Sequence, residues 1–144
     1  MRIEYPAKIT KDGSEYLVRF PDFPETSTDG ATLEEALFNA AEALTLTLEG
    51  RMEERLEIPS PSQAKGKAKY MIAPAASVQG ALLLRLSRGD RSVAEFARAL
   101  GTSWPAAAKL EDPRHYPSLR QLEKAAAVNG KRLIVCFEDH EEAA

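Results

Sequence analysis

The chain has 144 residues, which is enough for one ordinary domain or two small ones. Its hydrophobic content of 44% and charged content of 28% are typical of a soluble globular protein, and no apolar run is long enough to indicate a transmembrane span. The net charge of -3 is unevenly distributed, because residues 1–66 carry 7 Lys and Arg against 13 Asp and Glu, whereas residues 67–137 carry 12 against 5. A basic half suits nucleic acid, and an acidic half suits a basic protein or simply solubility.

The first residues and the cysteine content indicate a cellular compartment. The segment Met1–Thr10 lacks the apolar core of a signal peptide, so we expect a cytoplasmic protein. The single cysteine, Cys136, cannot form an internal disulfide, which fits a reducing environment. Because it lies in an apolar run, it is expected to be a small buried hydrophobe.

The N-terminal residues predict strands. Residues 3–9 alternate apolar and polar side chains, and residues 15–20 are rich in β-forming types. The turn residues 11–14 separate them, which indicates a β-hairpin. The two prolines in residues 21–25 predict a stiff loop, and residues 26–30 could form a short third strand.

A long helix is predicted next. Thr32 and Glu35 have the spacing of a capping box, and the helix is expected to end between Gly50 and Glu54. Residues 58–68 are expected to be a linker or a crossing loop, and residues 69–73 a short strand that returns to the N-terminal sheet. One helical face is apolar and comprises Leu33, Ala36, Leu37, Ala40, Ala41, Leu44 and Leu48.

Four helices are predicted from Pro74 onward. The first ends at residues 88–90, and Ser92 then caps the second, with Glu95 three residues later. Gly101 is placed where a helix C-cap glycine occurs. The third helix begins at Ser103 and stops at Asp112-Pro113, and the fourth runs from Ser118 to Asn129-Gly130.

The spacing of capping and apolar residues in this region resembles the helix-turn-helix domain of the lambda-repressor and Cro family. A small residue at Ala97 lets two helices cross closely, and Gly101 permits the left-handed turn between them. A plain four-helix bundle with the same core is the alternative interpretation. The residues that carry the resemblance are Ser92, Glu95, Phe96, Ala97, Leu100, Gly101, Leu110, Pro117, Ser118, Leu119 and Leu122.

The resemblance implies that the third helix lies in the major groove of DNA. Val93 and Trp104 stand where the family often has glutamine, and neither can make the bidentate contact with adenine. Recognition of DNA shape is therefore expected to contribute more to specificity than base contacts do. The alanines could meet thymine methyl groups, and Trp104 could either pack against Pro105 or contact DNA. The candidate DNA contacts are Ser92, Ser103, Trp104, Ala107, Ala108, Lys109, Arg114 and His115.

Residues 131–137 predict a final strand without a partner in a helical domain. Pairing with the same strand of a second copy would satisfy its backbone, so a homodimer is expected, with a tetramer left open. The candidate dimer contacts are Leu133, Ile134, Val135, Cys136 and Phe137. Residues 138–144 are expected to fray.

The N-terminal half carries Tyr5-Pro6-Ala7-x-Ile9, then residues 20–25 with the sequence FPDFPE and residues 29–36 with the sequence DGATLEEA, followed by the long helix. These motifs resemble the HicB antitoxin family, in the subgroup with a repressor-like C-terminal domain. The resemblance implies a partial ribonuclease-H-like fold that binds and neutralises a HicA toxin, a small basic messenger-RNA ribonuclease. It also implies autorepression of the shared operon. By analogy, the toxin contacts would include the exposed helix face and Pro21, Asp22, Phe23, Glu25 and Ser27.

The combined prediction is an α+β protein of two domains. Residues 1–73 would form a β-β-β-α-β toxin-binding domain, and residues 74–137 a helical DNA-binding and dimerisation domain. No enzyme, cofactor or metal site is expected, because Asp12, Asp22 and Asp29 lie in separate turns and the histidines, His115 and His140, lack ligand spacing. The alternatives are a stand-alone transcriptional regulator with an N-terminal ligand-sensing or dimerisation domain, and a metal-dependent nuclease.

Overall fold

The structure is a computed structural model that describes residues 1–62 and 70–139. The chain divides into two compact units, formed mainly by residues 2–75, the sheet unit, and residues 76–138, the helical unit. None of the helices in the described ranges is long and apolar enough to cross a membrane. Most of the predicted linker, His140 and the end of the predicted tail lie outside the described residues.

The sheet unit contains a four-stranded antiparallel sheet. Its strands are β1 (Tyr5–Asp12), β2 (Glu15–Phe20), β3 (Phe23–Gly30) and β4 (Tyr70–Ile72), in the spatial order β3-β2-β1-β4. The predicted hairpin of β1 and β2 and the returning strand β4 are confirmed. Because β4 pairs with β1, the chain after the long helix comes back to the opposite edge from β3.

Strand β3 begins earlier than the sequence predicts. Residues 21–25 were expected to be a loop because of their two prolines, but Phe23 already pairs with Phe20, beside an irregularity in the register. Pro24 is tolerated because β3 is an edge strand, where a missing backbone N–H need not break a ladder. The loop prediction was therefore wrong for residues 23–25.

Helix α1 (Leu33–Glu53) packs on the sheet through a narrow apolar stripe. Its first turn is capped as predicted, because the hydroxyl of Thr32 accepts a hydrogen bond of 3.1 Å from the backbone N–H of Glu35. The hydroxyls of Thr26 and Thr47 lie 2.5 Å apart and join β3 to the helix. The stripe is narrower than predicted, since Leu33, Leu37 and Ala41 are only half-buried. The buried members are Ala36, Ala40, Leu44, Leu48 and Met52.

The helical unit has the four predicted helices. They are α2 (Ala76–Arg88), α3 (Val93–Leu100), α4 (Trp104–Leu110) and α5 (Leu119–Val128). Their shared core contains residues from all four, since it consists of Leu84, Phe96, Ala97, Leu100, Ala107, Leu110 and Ala125, with Val93, Leu122 and Val128 partly buried against it. Leu119, one of the residues that carry the helix-turn-helix resemblance, is exposed, and so is Leu86 in α2. Leu84 is buried in the core, and Leu122, which carries the same resemblance, packs against it.

Candidate nucleic-acid and partner-binding surfaces

Helices α3 and α4 are joined by a tight turn at Gly101–Ser103. The turn depends on Gly101, whose backbone is left-handed (φ 71°, ψ 37°), a conformation that other residues rarely adopt. The backbone N–H of Thr102 then donates to the carbonyl of Ala97 over 3.0 Å. The start of α3 is fixed by Ser92, whose hydroxyl accepts from the N–H of Glu95 over 3.1 Å. Local bonds therefore fix the geometry between the two helices.

Helix α4 exposes part of the predicted DNA-contact set and buries one member of it. Ser103 caps the helix by accepting a hydrogen bond of 3.3 Å from the N–H of Ala106. The side chain of Trp104 is 56% exposed, so it is not a core residue, and Ala108 is half-buried. Ala107 is completely buried in the helical core. The prediction that Ala107 contacts DNA was therefore wrong, because no surface of it is accessible.

Cationic side chains lie beside this surface in the chain. Lys109 and Arg114 are exposed, and His115 is half-buried. The loop that carries the last two is ordered by Asp112, whose carboxylate accepts from the N–H of Arg114 over 2.9 Å. Arg98, in the last turn of α3, is also exposed and was missed by the sequence analysis. The helical spacing of the apolar residues Phe96, Ala97 and Leu100 indicates that Arg98 lies on the solvent-facing side of α3, and this signal was present in the sequence.

A buried ion pair fixes the end of α4. Glu111, the residue that follows the helix, accepts hydrogen bonds from Nε and Nη2 of Arg88, at 2.7 and 3.0 Å. The Glu111 side chain is 5% exposed, and Nε of Arg85 lies 3.9 Å from its Oε1 atom. The hydrogen bond to Glu111 raises the pKa of Arg88, although burial acts in the opposite direction. The pair ties α4 to the end of α2.

A second polar contact fixes the end of α5. Arg91 donates to the side-chain oxygen of the buried Asn129 over 2.6 Å, and the amide of Asn129 donates to Ser87 over 2.9 Å. The backbone N–H of Lys131 then bonds to the carbonyl of Ala126 over 2.8 Å. These contacts therefore fix the point where the C-terminal segment leaves α5.

The C-terminal segment, residues 131–138, exposes the predicted dimer contacts. Residues 131–138 form no strand within the single chain. Leu133 is half-buried, whereas Ile134 and Val135 are exposed and Phe137 is 100% exposed. Cys136 is also exposed, so the expectation that it is a buried hydrophobe in this chain was wrong, because the segment does not fold onto the helices.

In the sheet unit, Asp22 has a structural role. Its carboxylate accepts a hydrogen bond of 2.9 Å from the backbone N–H of Ser62, and the hydroxyl of Tyr5 donates to the carbonyl of Pro59 over 2.8 Å. Burial raises the pKa of Tyr5, with a further contribution from the charge of Asp22, while Arg51 acts in the opposite direction. In the described ranges, no group of three or more His, Cys, Asp or Glu residues is arranged to hold a metal ion.

The other predicted toxin contacts divide into buried and exposed residues. Phe23 is completely buried, with its ring centroid 4.8 Å from that of Tyr5 and the Arg51 guanidinium 4.9 Å from its centroid. It cannot contact a partner, so that prediction was wrong. Glu25 is exposed but forms a bidentate pair with Arg51 at 2.8 and 2.9 Å. Pro21 and Ser27 are exposed.

Comparison with known proteins identifies the family. Residues 4–78 match the model of the HicB-like antitoxins of bacterial toxin-antitoxin systems. Antitoxin HicB 2 of Photorhabdus laumondii is 37% identical over 132 residues, which is 91% of this chain and 94% of that protein. The chain belongs to the HicB-like antitoxin family. Antitoxin HicB of Escherichia coli K12 is 28% identical over 134 residues, covering 91% of this chain and 96% of that protein.

A solved structure also aligns with this HicB-family chain. It is the crystal structure of the N-terminal domain of the Burkholderia pseudomallei antitoxin HicB, at 25% identity and a TM-score of 0.45. The alignment covers 51% of this chain and 99% of that one.

The exposed face of the long helix, which the resemblance implied as a toxin contact, carries two apolar side chains that the sequence analysis did not name. On the outer side of α1, Phe38 and Leu46 are 64% and 68% exposed, and Glu34 and Glu42 are exposed on the same helix. We call these four residues the α1 outer face. Phe38 and Leu46 lie outside the buried stripe. Two large apolar residues among the polar residues of an amphipathic helix indicate an exposed apolar contact surface, and this signal was present in the sequence.

Proposed function

We propose that this chain is a cytoplasmic antitoxin that neutralises a HicA-type messenger-RNA ribonuclease and represses its own operon by binding operator DNA. The observation that carries the proposal is the 37% identity to Antitoxin HicB 2 over 91% of the chain, a match that includes both units. The sheet unit would be the partial ribonuclease-H-like, toxin-binding domain. The helical unit would be the helix-turn-helix, DNA-binding domain.

Charge and exposure support the toxin-binding role of the sheet unit. A basic toxin would meet an acidic domain, since residues 1–66 carry 13 Asp and Glu against 7 Lys and Arg. The α1 outer face combines exposed apolar and acidic side chains, a composition that suits contact with a basic protein. The further candidate contacts, in the turn before β3 and in β3 itself, are Pro21, Asp22, Glu25 and Ser27.

Neutralisation is tested by expressing the chain together with the small basic protein encoded next to it. Rescue of growth and co-purification are expected. The substitutions Phe38→Asp and Leu46→Asp should weaken the complex about tenfold or more, because central apolar contacts dominate such interfaces. Leu86→Asp, at an exposed position of the helical unit, is the control for an added charge. A non-toxic neighbour, or DNA binding that responds to a metabolite without a protein partner, would favour the stand-alone regulator.

The geometry of α3 and α4 supports the DNA-binding role. Two short capped helices with a glycine-dependent turn and an exposed second helix are the arrangement that a helix-turn-helix needs. Residues 76–138 carry 10 Lys and Arg against 6 Asp and Glu, which favours a polyanion. Ser92, Ser103, Trp104, Ala108, Lys109, Arg114 and His115 remain the candidate contacts.

The substitutions Lys109→Ala and Arg114→Ala are expected to weaken DNA binding and to lower its salt dependence. Each phosphate contact that is removed should reduce the slope of log K against log salt by about 1. The measurement is a titration of a fluorescent operator duplex at several salt concentrations. Lys8→Ala, at an exposed position of the sheet unit, should leave the slope unchanged. Unchanged slopes for both helical-unit variants would argue against this orientation of α4.

Truncation after Gly130 is expected to convert a dimer into monomers that bind DNA poorly. The segment removed carries the exposed Ile134, Val135 and Phe137, and its pairing with a second copy would bury them. Light scattering after gel filtration measures the mass directly. A truncation after Asp139 is the control, because it keeps the whole segment. Dimers that persist after the shorter truncation would refute strand pairing.

A further inference from the structure

The outward side of α4 is almost entirely apolar. Among its seven residues only Lys109 is charged, and the indole N–H of Trp104 is the only other polar side-chain group. Ala107 and Leu110 are turned into the core. Since residues four apart are neighbours on a helix, Trp104 lies beside Ala108 and Pro105 beside Lys109, opposite the buried pair.

We propose that this side of α4 recognises the methyl groups of thymine in the major groove, through Trp104 and Ala108. The inference rests on the proposed DNA-binding function and adds the chemistry of the sequence that is read. The operator would then be defined by where thymine methyls face α4, and not by hydrogen bonds from α4 to adenine or guanine edges.

The chemistry of the major groove leads to this choice. Along its edges, the thymine methyl is the one apolar group, whereas every other characteristic group is a hydrogen-bond donor or acceptor. An indole ring placed with its apolar face against a guanine or cytosine edge would strip water from polar groups, and its single N–H donor could replace at most one of the lost hydrogen bonds. Against a thymine methyl, the same ring buries apolar surface on both sides. With more than half of its surface exposed, Trp104 has the area to do this.

The charges around α4 favour DNA over a protein as the occupant of this surface. Lys109 adjoins the apolar residues on the same side of the helix and is exposed, so a phosphate can lie beside the contact. The helical unit as a whole has an excess of 4 positive charges, from 10 Lys and Arg against 6 Asp and Glu in residues 76–138. An apolar surface for a second protein chain would not need this excess.

The test uses the full chain and duplexes selected by it from a library of random sequences. Each thymine of the selected site is replaced by deoxyuridine, which has the same hydrogen-bonding groups but lacks the methyl. We expect binding to weaken about fourfold for each methyl in contact, the value of burying one such group. In Trp104→Ala, overall affinity should fall and the ratio between thymine and uridine duplexes should approach one. Leu86→Ala, at another exposed apolar position, should keep the ratio.

The outcomes separate this inference from the function on which it rests. If the chain selects a specific duplex but binds its thymine and uridine forms equally, the methyl contact is overturned and the DNA-binding function stands. A methyl effect that persists unchanged in Trp104→Ala would also overturn it, because another part of the chain would then read the methyl. Failure to select any duplex would overturn both. A change in the oligomeric state of the Trp104→Ala variant would show that this surface contacts a second protein chain instead.

Discussion

The substitution Glu111→Ala is expected to lower the free energy of unfolding of the helical unit by about 3 kcal/mol. The carboxylate is 5% exposed and accepts two hydrogen bonds from Arg88, at 2.7 and 3.0 Å. Its removal leaves the Arg88 guanidinium partly dehydrated and without its partner. Urea denaturation followed by circular dichroism gives the free energy, and hydrogen exchange of the α3 and α4 amides shows which unit opens.

Glu25→Ala is the matched control. Glu25 has the same bidentate geometry with Arg51, at 2.8 and 2.9 Å, but its side chain is 50% exposed. An ion pair whose carboxylate is half exposed contributes little, because water already solvates and screens that charge, so we expect a cost below about 1 kcal/mol. Equal costs for the two substitutions would show that burial is not what distinguishes the pairs.

Replacing both Arg88 and Glu111 by apolar residues separates the attraction within the ion pair from the cost of burying an unpaired charge. The double variant Arg88→Met with Glu111→Leu should be clearly more stable than Glu111→Ala, because no unpaired charge is left in the site. If the double variant is as unstable as the single one, the space between α2 and α4 cannot accept apolar side chains. In that case the pair is needed for shape and not for charge compensation.

Most of the secondary structure could be predicted because its signals are local. Ser92, Ser103 and Ser118 each accept a backbone hydrogen bond from the third residue beyond them, and such capping can be recognised within four residues of sequence. The left-handed Gly101 is a signal of the same kind. The start of β3 was missed because a proline such as Pro24 is compatible with a strand only at the edge of a sheet, and the edge position of β3 is known only from the sheet order.

The candidate sites were harder to predict because side-chain burial depends on distant partners. In α4 three consecutive alanines give no apolar period, so the sequence could not distinguish the buried Ala107 from the half-buried Ala108. Phe23 belongs to a motif that suggests a partner surface, yet its ring completes the core beside Tyr5. Arg88 and Glu111 are 23 residues apart, and nothing in their local sequence indicates that they meet.

The substitution Gly30→Ala is expected to destabilise the sheet unit by about 3 kcal/mol. An added Cβ would lie 2.7 Å from the Cα of Ala36 and 2.9 Å from the carbonyl carbon of Glu35, and closer still to the backbone nitrogen of Ala36. These are backbone atoms of the first turn of α1, so the clash can be relieved only if the helix and β3 separate. Such overpacking costs about 1–3 kcal/mol or more. The measurement is urea denaturation, with exchange of the β3 and α1 amides as the local readout.

Gly50→Ala is the matched control, because Gly50 lies inside α1 and an added Cβ there would meet nothing within 4 Å. It should stabilise the helix by about 0.5–1 kcal/mol, since alanine loses less backbone entropy. Equal effects at the two glycines would show that α1 does not lie as close to β3 as the structure indicates. Gly30 belongs to the motif that resembles the HicB family, and its close contact with α1 gives that motif residue a role in the fold. Under the proposed antitoxin function, Gly30→Ala should therefore weaken toxin binding only in proportion to unfolding, whereas Phe38→Asp should weaken it while the fold stays intact.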